Sequence, residues 1–561
     1  MDGQIDHDGQ LAVRGARRLD RSEGDARARR HERRRRARAS ARGRRSLIER
    51  RRRRWPPTRP SSARRRPAPP KRLRRITWLA LALIAALPAT SAAQSSRVYV
   101  RRIEFTGVSH VNDEVLRREL LQLEGTYLNT VALDRSLARL ERLPYVASAD
   151  AALRPVAGNL ELVDVEIRIQ EAPARRYGVG GAYSGALRAR LHGYFVDENV
   201  LGTGQQLALR AEGNELFFSG EITHTDPYAR LDGVSRTVAL AARRLDRLTV
   251  DSSSFDAELR SARLEYAYRI AEPRDDPAPG ARAPSFEPER RHGAWLAFGV
   301  EINDVDVAAG TAASEQLRRW VSASGGRGAT DAPLDASFET ADFAMRWIND
   351  TRGGDAFPTS GREQTLALLA TLPGSDVRYY RIDYDATRHW PIAERWTATL
   401  TTRAGIGGSY GSRELPSLPP YMNWLAGGPD TVRGYRDGTL GPRDSSGRPY
   451  GGDLLVAAQL EWLTPWPRRW EERVRAGFFY DVGNAFSVGD TVFTDDTGAQ
   501  LDYGFDGSEL RQSVGVVARL RIPLGVLSVS YALPLDERRH AASAFRRDDV
   551  EKLQLTIGVD F

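Results

Sequence analysis

From Arg175 onward apolar and polar residues alternate with a period of two. The C-terminal stretches show it best. Val514, Val516, Ala518, Leu520 and Ile522 alternate with Ser513, Gly515, Val517, Arg519 and Arg521. Leu527, Val529, Tyr531 and Leu533 alternate with Ser528, Ser530 and Ala532. Leu553, Leu555, Ile557, Val559 and Phe561 alternate with Gln554, Thr556, Gly558 and Asp560. This period gives strands with one apolar face and one polar or small face. No helical period interrupts it, so 175–561 is predicted to be wholly β.

Residues 97–171 read differently. Ile103 and Phe105 flank Glu104 in an opening strand. Asn112 can cap a helix that carries Asp113 and Glu114 in its first turn, where the helix dipole favours them. Asn129 or Thr130 can cap a second helix, with Leu133, Leu137 and Leu140 on one face, ended by Pro144. Two strands follow, and in the second Val163, Val165, Ile167 and Ile169 alternate with Asp164, Glu166, Arg168 and Gln170. The order strand, helix, helix, strand, strand predicts a small α+β domain, closed by Glu171-Ala172-Pro173.

A soluble sandwich would also alternate. The N-terminal region decides for a membrane barrel. Arg72, Arg74 and Arg75 precede the uncharged run Ile76–Leu87, and Ser91-Ala92-Ala93 offers small residues before a cut at Gln94. That is the order of a secretory signal peptide, over 71–93. The run is too short to span a bilayer permanently. Apolar rows further on carry Trp390, Trp396, Trp462 and Tyr531, as an interfacial girdle would, and the chain stops on the apolar-face Phe561. In lipid only a closed barrel satisfies strand backbones. Connections differ in kind too. Asp197–Gly204 and Asp226–Gly233 are compact, whereas Glu272–His292, Ser322–Pro333 and Gly434–Tyr450 are long and polar, and the long ones are expected together at the end opposite the short turns.

Charge changes the picture in one place. Of 83 Lys and Arg and 73 Asp and Glu, residues 1–75 hold 28 and 8, so the net charge of +10 belongs to the leader and the remainder is acidic by 10. Residues 1–70 are arginine-rich and broken by prolines, a composition that predicts disorder. Because signal peptides open a chain, 1–70 reads as an extension from a misassigned start, and the mature chain is expected to begin near Gln94. Nothing in the acidic remainder points to nucleic acid. With no cysteine, there is no disulfide framework or cysteine metal site. Lys71 and Lys552 complete no phosphate-cradling loop, and no His-Glu-x-x-His occurs. Gly407-Gly408-Ser409-Tyr410-Gly411 fits a nucleophile pattern, but it ends a strand and precedes a loop. No catalytic residue, metal or cofactor is predicted.

The candidate site is a loop, Gly427-Gly428-Pro429-Asp430-Thr431-Val432-Arg433-Gly434-Tyr435. Gly434 allows close approach to a wall, and Arg433 can extend its fork to carboxylates. Two strands follow it. If Leu454, Val456, Ala458, Leu460 and Trp462 face lipid, Glu461 faces the lumen. If Val474, Ala476, Phe478, Tyr480 and Val482 face lipid, Asp481 and Gly483 face the lumen. A loop folded inward would place Arg433 between Glu461 and Asp481. The alternative is two hydrated, unpaired carboxylates.

At these residues the chain resembles the BamA/TamA family of outer-membrane assembly proteins, most closely its BamA branch. The likeness runs from Val98 to Phe561. It includes Asn199-Val200-Leu201-Gly202-Thr203-Gly204, Asp226-Pro227-Tyr228, Phe357-Pro358-Thr359-Ser360-Gly361, the Val-Arg-Gly-Tyr loop and Phe478-Phe479-Tyr480-Asp481-Val482-Gly483. The resemblance implies a transmembrane antiparallel barrel of about sixteen strands over 175–561, in the outer membrane, with a periplasmic POTRA domain over 97–171. It also implies an inserted loop and a weak seam between first and last strands. The partners implied are outer-membrane lipid, unfolded outer-membrane or secreted client polypeptides, and periplasmic chaperones or assembly proteins. One POTRA domain is found where the essential insertase carries five. A secretion pore for one partner protein and a passive channel are the alternatives. The seam is expected between Tyr177–Ser184, with Gly178, Gly180 and Gly181, and Leu553–Phe561, with Leu555, Ile557 and Phe561. Glycine weakens a strand, so this junction is expected to have the fewest hydrogen bonds, with Gly180 facing a position near Ile557.

Overall fold

The structure, a computed structural model, describes residues 98–558 except 185–187, 215–216, 231–233, 247–255, 272–292, 311–312, 328–332, 353–356, 412–414, 416, 496, 523–524 and 539–546. The leader, the signal-peptide segment and Phe561 lie outside the described residues.

The N-terminal domain is a three-stranded sheet against two helices. Strands β1 (Tyr99–Thr106), β2 (Val146–Val156) and β3 (Asn159–Glu171) stand in the order β1-β3-β2, with β1 and β3 parallel. Val163, Val165, Ile167 and Ile169 form the buried row of β3. Helix α2 (Thr130–Leu140) covers that row with Leu133 and Leu140, and Asn129 caps it by accepting from the Ala132 N–H at 3.1 Å. Helix α1 (Asp113–Arg117) differs from expectation. Asn112 stands at its N-cap, but its side chain makes no capping bond. Its backbone N–H donates instead to the Gly202 carbonyl at 3.0 Å, outside the domain.

The remaining strands are β4 (Arg175–Ser184), β5 (Arg188–Asp197), β6 (Gln206–Gly213), β7 (Phe217–Asp226), β8 (Ser235–Asp246), β9 (Asp256–Ala271), β10 (Gly293–Ala309), β11 (Leu334–Asp350), β12 (Gly361–Thr371), β13 (Tyr379–Ala393), β14 (Trp396–Ser409), β15 (Gly434–Tyr435), β16 (Leu454–Thr464), β17 (Val474–Phe486), β18 (Phe493–Thr494), β19 (Gln500–Leu501), β20 (Arg511–Ile522), β21 (Gly525–Pro534), β22 (Val550–Glu551) and β23 (Leu553–Gly558). Sixteen of them close an antiparallel barrel; β15, β18, β19 and β22 are short pieces outside the wall. Exposed apolar residues such as Tyr177, Val179, Phe478 and Tyr531 mark the outward rows. Among the described residues no helix is long and apolar enough to cross a membrane.

Two expectations fail. The region after Arg175 contains a helix, α3 (Glu315–Ala323), in the β10–β11 connection and overlapping the predicted loop Ser322–Pro333. Ser314 caps it, and Leu317, Trp320 and Val321 bury one face against the loops that close that end. Nine residues are too few for a periodicity window to register. The second concerns Glu272–His292. Strands alternate in direction from β4, so β9 ends and β10 begins at the end where the N-terminal domain joins, with the short turns. That segment therefore connects on the short-turn side; its own residues are outside those described.

Candidate functional site

The β14–β16 connection turns back into the barrel. Val432, Arg433 and Tyr435 are buried. Gly427 and Gly428 have φ of +95° and +88°, and the Gly428 N–H reaches the Val432 and Tyr435 carbonyls, each at 3.1 Å, which tightens the loop tip. Gly434 (φ +91°) lies against β21, where an added Cβ would stand 2.9 Å from the Ala532 Cβ. The close approach therefore requires glycine.

That tip sets the arginine on two strands. Arg433 donates from Nε to Asp481 Oδ2 at 2.7 Å, from Nη2 to Asp481 Oδ1 at 2.7 Å and from Nη1 to Glu461 Oε1 at 2.6 Å. Its backbone N–H also reaches Asp481 Oδ2, at 3.0 Å. All three side chains are at most 5% exposed. Such a cluster persists only with good geometry and charge balance. The geometry is bidentate at Asp481, and the Phe479 ring lies under the guanidinium, 3.7 Å from Cζ to centroid. The balance needs a second cation. Arg519 on β20 supplies it, Nη2 donating to the same Glu461 Oε1 at 2.9 Å. Gln459 Nε2 steadies the loop through the Pro429 carbonyl at 2.9 Å. Gly483 does not touch the arginine: a Cβ there would meet the β16 backbone, 2.7 Å from the Val456 carbonyl.

A further anchor escaped the sequence reading. Trp424 stands over Gly405 of β14, where a Cβ would enter its ring. Its Nε1 donates to Asp383 Oδ1 at 2.9 Å, and Arg381 stacks on it at 4.3 Å while pairing with Asp383. The available signal was the pair Arg381 and Asp383, two apart on one strand and hence on one face. Ser409 is the last residue of β14, and its hydroxyl donates to the Leu415 carbonyl at 2.8 Å.

At the seam, β4 is paired with β5 along ten residues, whereas β23 and β4 register at one pair among the described residues, Ile557 with Tyr183. Gly180 does not face Ile557; the register sets it three residues further along β4. The β4 glycines are also covered. Tyr194 lies over Gly178 and His192 over Gly180, both from β5. Gly181 lies on the other face, beside the Arg190 carbonyl. Leu555 pairs with Val529 of β21.

The short turns of the barrel meet the N-terminal domain. Asn199 accepts from the Gly204 N–H at 2.7 Å and donates to the His110 carbonyl at 3.0 Å, while the Tyr228 hydroxyl donates to Glu119.

Residues 199–561 match the model of the Omp85 superfamily domain. The chain belongs to the Omp85 superfamily. Residues 98–172 match the POTRA model, described as a surface antigen variable number repeat. The chain is 27% identical over 484 residues to the outer membrane protein assembly factor BamA of Neisseria meningitidis serogroup B, covering 83% of this chain and 57% of that one. The BamA of Nitratidesulfovibrio vulgaris is 24% identical, covering 79% and 49%. The chain thus spans about half the length of these relatives. The crystal structure of BamA from Haemophilus ducreyi lacking POTRA domains 1–3 has the same fold, with a TM-score of 0.68 at 23% identity, covering 82% of this chain and 84% of that one. This Omp85 chain is an outer-membrane barrel with its POTRA domain in the periplasm.

Proposed function

We propose that the chain assembles outer-membrane proteins by lending its β23–β4 seam to client strands. The observation that carries this reading is that β23 and β4 register at one pair among the described residues, Ile557 with Tyr183, where the other neighbouring strands of the wall register along six or more. A strand edge with few partners is a template for another strand. The POTRA sheet supports the same reading. Its edge strand β1 is bridged by 125–128, through Val100 N–H to the Thr126 carbonyl at 2.9 Å, while β2 stands at the other edge, beside β3 alone among the described residues. An extended client can add there and pass to the seam. The barrel needs no nucleotide, metal or covalent step for this work, and catalysis has no part in it. Partners are lipid, unfolded client barrels and periplasmic factors that deliver them.

The test uses cysteines at Tyr183 and Ile557, in a chain that has none of its own. Oxidised, the double variant in proteoliposomes is expected to lose client insertion; reduction restores it. Full insertion by the locked barrel would overturn seam opening.

A further inference from the structure

Arg433 and the residue after it belong to two different anchors. Gly434 and Tyr435 pair antiparallel with Glu551 and Val550, so the loop tip forms a two-residue strand beside the chain that leads into β23. Arg436 N–H reaches the Asp549 carbonyl at 2.7 Å, and Arg443 Nη2 reaches Asp549 Oδ2 at 2.8 Å. One side chain of the last barrel strand completes the contact. Gln554, 4% exposed, accepts from the Gly434 N–H at 3.3 Å and donates from Nε2 to the Tyr435 carbonyl at 2.6 Å. A carboxamide accepts and donates through separate atoms. Gln554 therefore satisfies the loop backbone as a neighbouring strand would.

β23 has need of this contact. It registers six residues against β21 and one against β4 among those described. Its inner face rests on the loop tip. The arginine cluster on β16 and β17 and the brace on β23 share one peptide bond, between Arg433 and Gly434. Unseating Arg433 from Asp481 displaces the N–H that Gln554 accepts. Pulling β23 outward in turn draws on Tyr435.

We propose that Gln554 couples the buried arginine cluster to the seam: with Arg433 seated it holds the last strand in the wall, and departure of the loop releases that strand. Gln554 is a positioning residue, acting through the loop. The proposal rests on the reading that the seam is where clients enter, but its test needs no client.

The experiment is hydrogen exchange of the full chain in lipid nanodiscs, read by mass spectrometry on peptides covering 550–558, 434–436 and 479–481. Gln554→Met removes both bonds at similar volume. It is expected to speed exchange at 550–558 and 434–436 about tenfold, and to leave 479–481 and the β7–β8 wall unchanged. Gln554→Glu keeps the acceptor and loses the donor, and is expected to give a smaller rise at the same two places. It serves also if the Met variant fails to fold. Arg433→Ala is expected to speed exchange at 479–481 and 550–558 together. The proposal is overturned if both Gln554 variants leave 550–558 within twofold of the parent, or if Arg433→Ala changes 479–481 alone. Either failure leaves the assembly reading standing, because exchange is measured without client. Conversely, a locked seam that still inserts clients would overturn that reading and leave the coupling intact.

Discussion

Arg433 holds Asp481 three times over, by its backbone N–H at 3.0 Å and by Nε and Nη2 at 2.7 Å each. The carboxylate is wholly buried. Arg433→Ala strands it without a cation, and breaking a buried pair from one side costs about 3–5 kcal/mol. Arg433→Lys keeps the charge but not the fork, and is expected to fall between parent and alanine. The measurement is the denaturant midpoint of the folded barrel. An alanine variant within about 0.5 kcal/mol of the parent, the range of an ordinary surface change, would show that the cluster carries no stability.

The two carboxylates are not equivalent. Glu461 is shared with Arg519, which is one-third exposed and can hydrate. Among the described residues Asp481 takes its only charged partner from the loop. Asp481→Asn is therefore expected to destabilise more than Glu461→Gln. The double variant Arg433→Ala/Asp481→Asn leaves Glu461 with Arg519 and no orphan carboxylate, so it is expected to be more stable than Arg433→Ala alone. A double-mutant cycle reads this directly. Simple additivity of the two single losses would count against charge balance as the cause.

Strand periodicity made part of this site readable. A period of two puts Glu461 and Asp481 on one face of adjacent strands, and the structure has them there. The all-strand character of the wall was readable for the same reason, while its count of sixteen came from the family resemblance and the order of the N-terminal domain from helix caps and helical spacing beside one alternating strand. What was not readable depends on where a long loop lands. Trp424 over Gly405, Arg519 on Glu461 and Gln554 on Tyr435 join residues far apart in the chain, and no local pattern marks them. Helix α3 was lost because its apolar stripe is only three residues. The partner of Gly180 was misplaced because barrel stagger shifts the seam register, and stagger is a property of the whole wall.

Acid is expected to loosen the domain junction through Glu171. Burial opposes its ionisation. The N–H groups of Ser109 and His110, at 2.9 and 2.8 Å, outweigh that and hold its carboxyl down at about 2. A depressed carboxyl contributes its full stability above the usual value near 4.5 and loses it as pH falls towards 2. Glu171 orders the turn whose His110 carbonyl receives Asn199. Spin labels at the exposed Val131 and Ile392 should give a distance distribution that broadens below about pH 4.5. Glu171→Gln should be broad already at pH 7. A distribution unchanged down to pH 3 would rule out Glu171 as the acid-sensitive group.

Gly204 is where the β5–β6 turn of the barrel receives the POTRA domain. Its φ is +71°, and an added Cβ would stand 2.7 Å from Val115 Cγ1 on helix α1 and 2.9 Å from the Tyr145 hydroxyl. Both are core residues of the domain, so the neighbour cannot give way cheaply. Gly158, in the β2–β3 turn, makes the control: its φ is +85°, with nothing within 4 Å of an added Cβ. Alanine at either site incurs the left-handed backbone penalty of about 1–2 kcal/mol. Only at Gly204 does it also wedge two domains apart. Gly204→Ala is therefore expected to shift the Val131–Ile392 distance and slow client insertion, while Gly158→Ala lowers stability and leaves that distance alone. If both variants leave the distance unchanged, the Asn199–Gly204 turn does not set the domain's orientation. If only the distance moves and insertion keeps its rate, orientation does not limit delivery to the seam.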